Sequence, residues 1–241
     1  MAAGGAAWAA ESRELRWEKL PPLPASVGQT VQPGMAGPFA GAHGGVLLVG
    51  GGANFPEKMP WDGGAKIWWD DLWVAERTAG GAVRWVTEKT FSLPRKLGYG
   101  VSIDTPEGVV CIGGHDAERA YPDVFRLEWD AAARAVRTTA MPALPAPLTF
   151  MAGAQVGSVI YVAGGQHAMK GAEPTTTFWA LDLAQGGRGA AWGWERLPAW
   201  PGPARVLPVA GAARGARGAA FYLFGGPAAG GSGDGDVDGR V

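Results

Sequence analysis

The sequence predicts an all-β fold of repeated antiparallel units, and a fourfold internal repeat is the main observation behind this prediction. Four times in 241 residues, at intervals of about 50 to 60, a short apolar strand runs directly into paired glycines. Paired glycines permit backbone angles and close chain approaches that a Cβ would prevent, so each strand can end sharply beside its neighbours. The apolar strands are residues 46–49, 109–112, 160–163 and 221–224.

The segments after the glycine pairs supply the third and fourth strands of each unit. The third strands are acid-flanked and rich in aromatic and branched residues, which suit β-strands. The fourth strands begin with Trp or Val and end in Leu-Pro, where proline stops ladder pairing. Four strands per period of this length predict a kelch-type β-propeller of four-stranded blades. The third strands are 70–74, 123–127 and 177–183, and the fourth strands are 85–94, 136–145 and 194–198.

Partial blades stand at both ends of the three complete ones. Residues 16–21 have the pattern of a last strand without a blade before it, and residues 207–213 with 221–224 supply two strands of a fourth repeat. The propeller is therefore predicted over residues 15–226, with disordered segments at 1–14 and 227–241. Because an open arc exposes strand edges, we expect a protein partner or self-association through these edges.

Composition favours short strands and excludes several functions. Forty glycines, nineteen prolines and twelve tryptophans without a collagen period predict very little helix. A net charge of −1 with no basic run argues against nucleic-acid binding. No apolar stretch reaches the roughly 18 residues of a membrane span, so no membrane contact is expected. The single Cys111 is predicted to be a buried hydrophobe, and the lack of a leader pattern predicts a cytoplasmic location.

Three pairs of motifs carry a family resemblance, at residues 51–56 with 60–71, 99–102 with 109–114, and 161–166 with 178–183. They resemble the cyclically permuted mutarotases related to N-acetylneuraminate (sialic acid) epimerase. The resemblance runs from about Trp17 to Gly226. It implies a six-bladed kelch propeller, an isomerase that interconverts the α and β anomers of sialic acid without cofactor or metal. No match is found to the glutamate and arginine proposed as acid/base groups in that family, so the chain resembles an incomplete member.

The implied reaction opens and recloses a pyranose ring, which requires a base, an acid and a cation that holds the sugar carboxylate. Because blade strands are antiparallel, the loops leaving each second strand and the loops entering the next blade lie at one end. A polar and aromatic rim at that end suits a sugar. No catalytic residue is assigned. The predicted substrate-binding residues are Asn54, Trp61, Lys66, Arg95, His115 and Gln166.

Several of these residues have a second interpretation. Asn54 contacts the ligand or bonds its own backbone in a turn. Arg95, like Arg205, clamps a carboxylate or is a solvated rim residue. His115 forms an acid/base pair with Asp116 or lies in a surface turn.

The remaining aromatic and histidine residues give weaker signals. Trp61 is the candidate sugar-stacking ring in its long loop, whereas three other tryptophans share one repeat position and are predicted to pack between blades. The three histidines lie on different repeats without a metal-binding spacing, so no metal site is predicted. The packing residues are Trp17, Trp85 and Trp194, and the histidines are His43, His115 and His167.

Two functions stay open at this point. The first is a sialic acid mutarotase, and the second is a non-catalytic kelch module that binds another protein. One deep pocket lined by Arg95 and the Asn54 loop would favour the enzyme, and a flat rim would favour the interaction module.

Overall fold

The computed structural model describes residues 17–186, 192–215 and 218–228. These residues form antiparallel sheets in sequence order, which confirms the predicted all-β, kelch-type propeller architecture. The helices of this part of the chain are two three-residue 3-10 turns, Pro60–Asp62 and Leu183–Gln185, and neither is long enough to cross a membrane. The predicted disordered segments, 1–14 and 227–241, lie outside the described residues except for Pro227 and Ala228.

Blade 1 has a divided outer edge. The strands are β1 (Phe39–His43), β2 (Val46–Gly50), β3 (Ala53–Asn54), β4 (Ile67–Trp68), β5 (Asp71–Arg77), β6 (Val83–Trp85) and β7 (Phe91–Ser92). The order in the sheet is β1-β2-β5-β6, and β7 also pairs with β5. The predicted fourth strand, 85–94, is therefore interrupted. The interruption lies at Glu88 and Lys89, which bind the turn 131–134 of the next blade.

Blades 2 and 3 are four-stranded meanders, and the fourth unit is a two-stranded hairpin. Blade 2 consists of β8 (Val101–Thr105), β9 (Gly108–Ile112), β10 (Val124–Asp130) and β11 (Ala135–Ala140). Blade 3 consists of β12 (Ala152–Val156), β13 (Val159–Ala163), β14 (Phe178–Asp182) and β15 (Glu195–Arg196). The hairpin consists of β16 (Val209–Gly215) and β17 (Gly218–Phe224).

The hydrophobic core lies between neighbouring blades, and strand β9 contributes alternate side chains to two parts of it. Successive side chains of a strand point to opposite faces. Val109 and Cys111 pack against blade 1, whereas Val110 and Ile112 pack against blade 3. Both faces of blade 2 are thus buried. The predicted burial of Cys111 is confirmed, and this burial raises the pKa of its thiol.

The glycine pairs join neighbouring blades. In the first three pairs, the second glycine donates its N–H to a carbonyl of the segment that enters the next blade, at 2.7 to 2.9 Å. A Cβ on the first glycine would lie closer than 3.0 Å to that same carbonyl. The repeat therefore encodes an inter-blade contact as well as a strand end. The pairs and their acceptors are Gly51-Gly52 with Leu97, Gly113-Gly114 with Leu148, and Gly164-Gly165 with Arg205.

A second inter-blade link runs through residues with left-handed backbone. Tyr99, Phe150 and Leu207 occupy equivalent positions with φ of 61°, 56° and 50°, and Gly37 takes the same place in blade 1 at 62°. Each N–H donates to the carbonyl of the equivalent residue one blade earlier, at 2.7 to 3.0 Å. This chain of hydrogen bonds fixes three large side chains at the same end of the blades as the glycine pairs.

The N-terminal segment lies against the outer face of blade 1. Trp85 donates from Nε1 to the Pro21 carbonyl at 3.1 Å, as Trp194 donates to Pro142 at 2.9 Å. Packing of Trp194 between blades is confirmed. Trp17 is 94% exposed, so its predicted packing is wrong. Residues 17–21 form no strand, because no third strand lies beside them.

The hairpin β16–β17 has one covered face and one open face. Phe221 contacts Tyr161 and Phe178 of blade 3, with ring centroids 5.8 and 5.5 Å apart. On the opposite face, Val209 and Phe224 are 66% and 55% exposed. The hairpin therefore packs against blade 3 with one face and leaves an apolar surface exposed on the other.

Candidate functional site

The candidate site lies at the glycine-pair end of the blades, where loops of three blades meet. The ribbon of β3 and β4 brings Lys66 and Trp68 from blade 1 towards blade 2. Tyr99 and His115 enter from blade 2, and Phe150 enters from blade 3. Short turns between antiparallel strands place these residues together although they are far apart in sequence.

Lys66 supplies a cation to this cluster. Its Nζ donates a hydrogen bond to the Tyr99 hydroxyl and lies 5.1 Å from the ring centroid of Trp68. The side chain is half-buried, and no carboxylate among the described residues pairs with it. A partly desolvated ammonium without an anionic partner is suited to bind an anion from solution.

The cluster has an aromatic floor. The rings of Tyr99 and His115 stack at a centroid distance of 4.8 Å and an interplanar angle of 14°. Phe150 lies 4.8 Å from His115, and Trp68 lies 5.6 Å from it. Such surfaces accept the apolar face of a pyranose ring beside its polar substituents.

His115 is buried and neutral, with 1% of its surface exposed. The pKa of its imidazole is lowered to about 4, mainly by burial and also by the nearby Lys66 charge, while the Asp116 charge opposes this shift. Thr149 Oγ1 donates to the Tyr99 carbonyl at 3.1 Å and lies 2.7 Å from His115 Nδ1. Since the hydroxyl has one proton, Nδ1 is the protonated nitrogen, and Nε2 is left as an acceptor.

This environment corrects two interpretations of His115. The surface-turn alternative is wrong for this residue, because Tyr99, Phe150 and Trp68 surround its ring. Its side chain also forms no hydrogen bond with Asp116. The Asp116 carboxylate instead accepts from the Tyr121 hydroxyl at 2.5 Å and from two backbone N–H groups of its own turn.

Asn54 is 9% exposed, and its amide is already engaged. Nδ2 donates to Gln32 Oε1 at 3.2 Å and to the Gly34 carbonyl at 3.0 Å, while Oδ1 accepts from Trp69 Nε1 at 2.8 Å. These partners belong to the N-terminal segment and to blade 1, and not to the local turn that sequence suggested. Asn54 thus fixes the position of the loop that carries Lys66.

Arg95 forms its contacts with two other residues of blade 2, Asp123 and Tyr121. Its Nε is 2.9 Å from Asp123 Oδ2 without pointing at that oxygen, which makes the contact an ion pair and not an aligned hydrogen bond. The guanidinium also lies 4.2 Å from the Tyr121 ring centroid. Arg205 donates to the Gly225 carbonyl at 2.8 Å. These contacts hold Asn54 within blade 1 and Arg95 against blade 2, and sugar contacts by both residues stay predictions.

The side chains of the other two predicted residues form no hydrogen bond or ring contact with Lys66 or His115. Gln166 donates from Nε2 to the carbonyls of Ala168 and Met169 at 2.6 and 3.1 Å, within its own loop. Trp61 is 79% exposed on the first 3-10 turn. Sugar contacts by Trp61 and Gln166 stay predictions. Of the six predicted residues, the structure brings Lys66 and His115 into contact with the same ring, that of Tyr99.

Sequence reasoning gave no role to Tyr99, Thr149 or Phe150. One signal could have identified them: Tyr99 and Phe150 occupy the same repeat position, just before the first strand of consecutive blades. Aromatic residues at equivalent turns of neighbouring blades converge at one end of a propeller.

The other histidines and a cleft elsewhere in the propeller do not form a comparable site. The described residues contain no group of three or more His, Cys, Asp or Glu suited to a metal ion. His43 accepts from the Trp129 backbone N–H at 3.0 Å, and His167 Nδ1 lies 2.8 Å from the Pro147 carbonyl. A cleft of about 640 Å³ between blades 2 and 3 lies at the opposite end, and its Arg126 is paired with Glu128.

The repeated four-stranded sheets and their glycine-linked junctions define a kelch-type β-propeller with a cationic, aromatic cluster at one end. The family model for N-acetylneuraminate epimerase matches residues 5–136, more than half of the sequence, so the chain belongs to that family and the predicted resemblance is confirmed.

Sequence relatives and a solved structure agree with this assignment. N-acetylneuraminate epimerase of Brucella melitensis biotype 1 is 37% identical over 134 residues, and the alignment covers 50% of this chain and 32% of the relative. The enzyme of the same name from Salmonella enteritidis PT4 is 37% identical over 117 residues, covering 45% and 29%. The aligned part thus spans about a third of each relative. The structure of YjhT shares the fold, with a TM-score of 0.58 and 14% identity, over 83% of this chain and 64% of YjhT.

Proposed function

We propose that this protein is a mutarotase that interconverts the anomers of N-acetylneuraminate or a related sugar acid. Membership of the N-acetylneuraminate epimerase family supports the substrate class. The single structural observation that carries the proposal is the half-buried Lys66 ammonium, which has an aromatic surround and no carboxylate partner among the described residues.

In this proposal the sugar carboxylate binds Lys66. The ammonium has three N–H donors and spends one on the Tyr99 hydroxyl, which leaves two for an anion. The pyranose ring lies against the aromatic side chains of Tyr99 and Phe150. His115 Nε2, the acceptor nitrogen of the neutral imidazole, takes a hydrogen bond from a sugar hydroxyl. Asn54 holds the loop that carries Lys66 in place, and Trp61 and Gln166 contact the sugar at the edge of the site.

NMR of freshly released α-N-acetylneuraminate tests the function, because the α and β anomers give separate signals as they interconvert. Mutarotation is spontaneous, so the excess rate over buffer is the quantity measured. We expect the protein to accelerate the conversion and Lys66→Met to remove most of the excess. Arg95→Ala is the matched control, since Arg95 pairs with Asp123 outside the cluster. If folded protein gives no excess rate, the function is contradicted. If Arg95→Ala loses the excess rate and Lys66→Met keeps it, the site is contradicted.

A kelch interaction module is the second candidate, and the open face of the hairpin β16–β17 favours it. Val209 and Phe224 are 66% and 55% exposed there. Apolar surface of this kind suits a protein partner or a second copy of the chain. Sedimentation at rising concentration measures self-association, which Phe224→Lys should reduce. The cytoplasmic location stays a prediction from sequence.

A further inference from the structure

We propose that Tyr99 is a catalytic residue, the acid that delivers a proton to the pyranose ring oxygen during ring opening. This role rests on the proposed mutarotase function and deepens it. The observation behind it is the hydrogen bond from Lys66 Nζ to the Tyr99 hydroxyl.

The direction of that hydrogen bond leaves the phenol proton available. An ammonium has only donors, so the Tyr99 oxygen accepts from Lys66 and must direct its own O–H elsewhere. No acceptor among the described residues takes this proton. The cation also stabilises the phenolate that forms when the proton leaves. A bound ligand oxygen is therefore the natural acceptor.

The other tyrosines lack this arrangement. The Tyr121 hydroxyl donates to Asp116 Oδ2 at 2.5 Å, so its proton is already bound. Tyr161 packs between Phe178 and Phe221 at the junction of blade 3 and the hairpin. Tyr222 stacks on Phe224 at the open face. Tyr99 alone among them has both a cation at its oxygen and the aromatic cluster around its ring.

Tyr99 is held in place from several sides. Its N–H donates to Gly37, its carbonyl accepts from the Phe150 N–H at 3.0 Å and from Thr149 Oγ1, and its ring stacks on His115. Its φ of 61° is a conformation that costs energy for a non-glycine residue. Such fixed positioning lowers the reorganisation that proton transfer requires.

The resulting reaction balances without a cofactor. His115 Nε2 takes the proton of the anomeric hydroxyl, the C–O bond of the ring breaks, and the anomeric carbon becomes a ketone. Tyr99 gives its proton to the ring oxygen, which becomes a hydroxyl. Rotation about the carbon–carbon bond next to the ketone presents its other face. The reverse transfers then close the ring as the opposite anomer and restore neutral His115 and protonated Tyr99.

The test is the NMR mutarotation assay on Tyr99→Phe over a range of sugar concentrations. We expect the excess rate at saturating sugar to fall about a hundredfold, with KM changed by less than about threefold, because general acid catalysis contributes on this scale and the ring is kept. Phenylalanine occupies the equivalent position in blade 3, so the fold tolerates it there. Tyr161→Phe is the matched control and should keep the full rate.

The possible outcomes separate this inference from the function itself. An active wild type with an equally active Tyr99→Phe overturns the role of Tyr99 and leaves the mutarotase function standing. A rise in KM at unchanged maximal rate also overturns it, because that result makes Tyr99 a binding residue. An inactive wild type overturns the function, and the catalytic role of Tyr99 falls with it.

Discussion

The ends of blades 2 and 3 have the same backbone and different chemistry. Tyr99 and Phe150 take the same left-handed conformation, with φ of 61° and 56°. Each blade closes with the same backbone bridge, Gly98 to His115 in blade 2 and Thr149 to Gln166 in blade 3. Only blade 2 presents a hydroxyl and an imidazole to Lys66. The repeat thus supplies the scaffold, and side-chain differences at equivalent positions supply the candidate site.

The first prediction asks whether the shared scaffold depends on inter-blade contact, and it has the largest expected effect. Gly113 and Gly225 are equivalent glycines with φ of 59° and 58°. A Cβ at Gly113 would collide with the Leu148 carbonyl, whereas one at Gly225 would meet nothing within 4 Å. We expect Gly113→Ala to lower the free energy of unfolding by about 3 kcal/mol or more, and Gly225→Ala by about 1 to 2 kcal/mol. Urea denaturation measures both.

Equal losses in these two alanine variants would show that the glycine pairs serve only the backbone angle. That outcome would remove the inter-blade contact as the reason for the repeat.

The second prediction uses His115→Gln, which gives blade 2 the side chain found at the equivalent position of blade 3. The imidazole pKa of about 4 lies below its ordinary value of 6.5, so the unfolded chain binds the proton first as the pH falls. The contribution of His115 to stability is complete above about pH 6.5 and is lost towards pH 4. His115→Gln should weaken the decline in stability between pH 7 and pH 5, because glutamine does not titrate. It should also abolish the excess mutarotation rate, because it removes the proposed base.

Thermal melts across this pH range measure the second effect, and His167→Gln is the control at the exposed rim. An identical pH dependence in His115→Gln and wild type would contradict the buried, neutral state of His115.

The third prediction concerns a charge cluster that distinguishes the outer junction of blades 1 and 2. Arg134 pairs with Glu76 at 3.0 Å and with Glu88 at 2.6 Å, and the hydrogen bond from Arg134 lowers the pKa of Glu76. Since these groups are exposed to solvent screening, Arg134→Ala should lower the melting temperature only slightly. This loss of stability should be smaller in 1 M salt, because the salt screens the charges. A loss that is independent of salt would point to packing instead.

The smallest effect is expected from Phe150→Tyr, which places a hydroxyl at the blade 3 equivalent of Tyr99. The half-buried position tolerates the change, so stability should shift by about 0.5 kcal/mol or less. Because tyrosine keeps the aromatic ring against which the sugar lies, and Lys66 bonds the hydroxyl of Tyr99, the excess mutarotation rate should change little. In the double variant with Tyr99→Phe, the added hydroxyl should not restore activity. Restoration would show that either blade can carry the acid.

Much of the fold could be predicted because its signals are local and repeated. The glycine pairs, the apolar second strands and the burial of Cys111 follow from patterns within single blades. The interruption of the outer strand of blade 1 could not be predicted, because its cause is the turn of the next blade. Residues 16–21 have a strand pattern, yet a strand forms only beside a partner.

Less of the candidate site could be predicted, because its geometry depends on contacts between blades. Lys66 and His115 were identified from their positions after second strands, and the structure joins them through Tyr99. Arg95 has the chemistry of a carboxylate clamp, but Asp123 lies beside it in space. Asn54 bonds a segment some 20 residues earlier in the chain. No spacing rule reveals such partners.

Binding of a locked sugar tests the central claim, that Lys66 holds a sugar carboxylate, most directly. The methyl α-glycoside of N-acetylneuraminate cannot open its ring, so calorimetry with this compound measures binding alone. We predict that wild type binds the acid more tightly than the corresponding carboxamide, and that Lys66→Met binds both weakly and equally. Equal affinity of wild type and Lys66→Met for the acid would contradict the account.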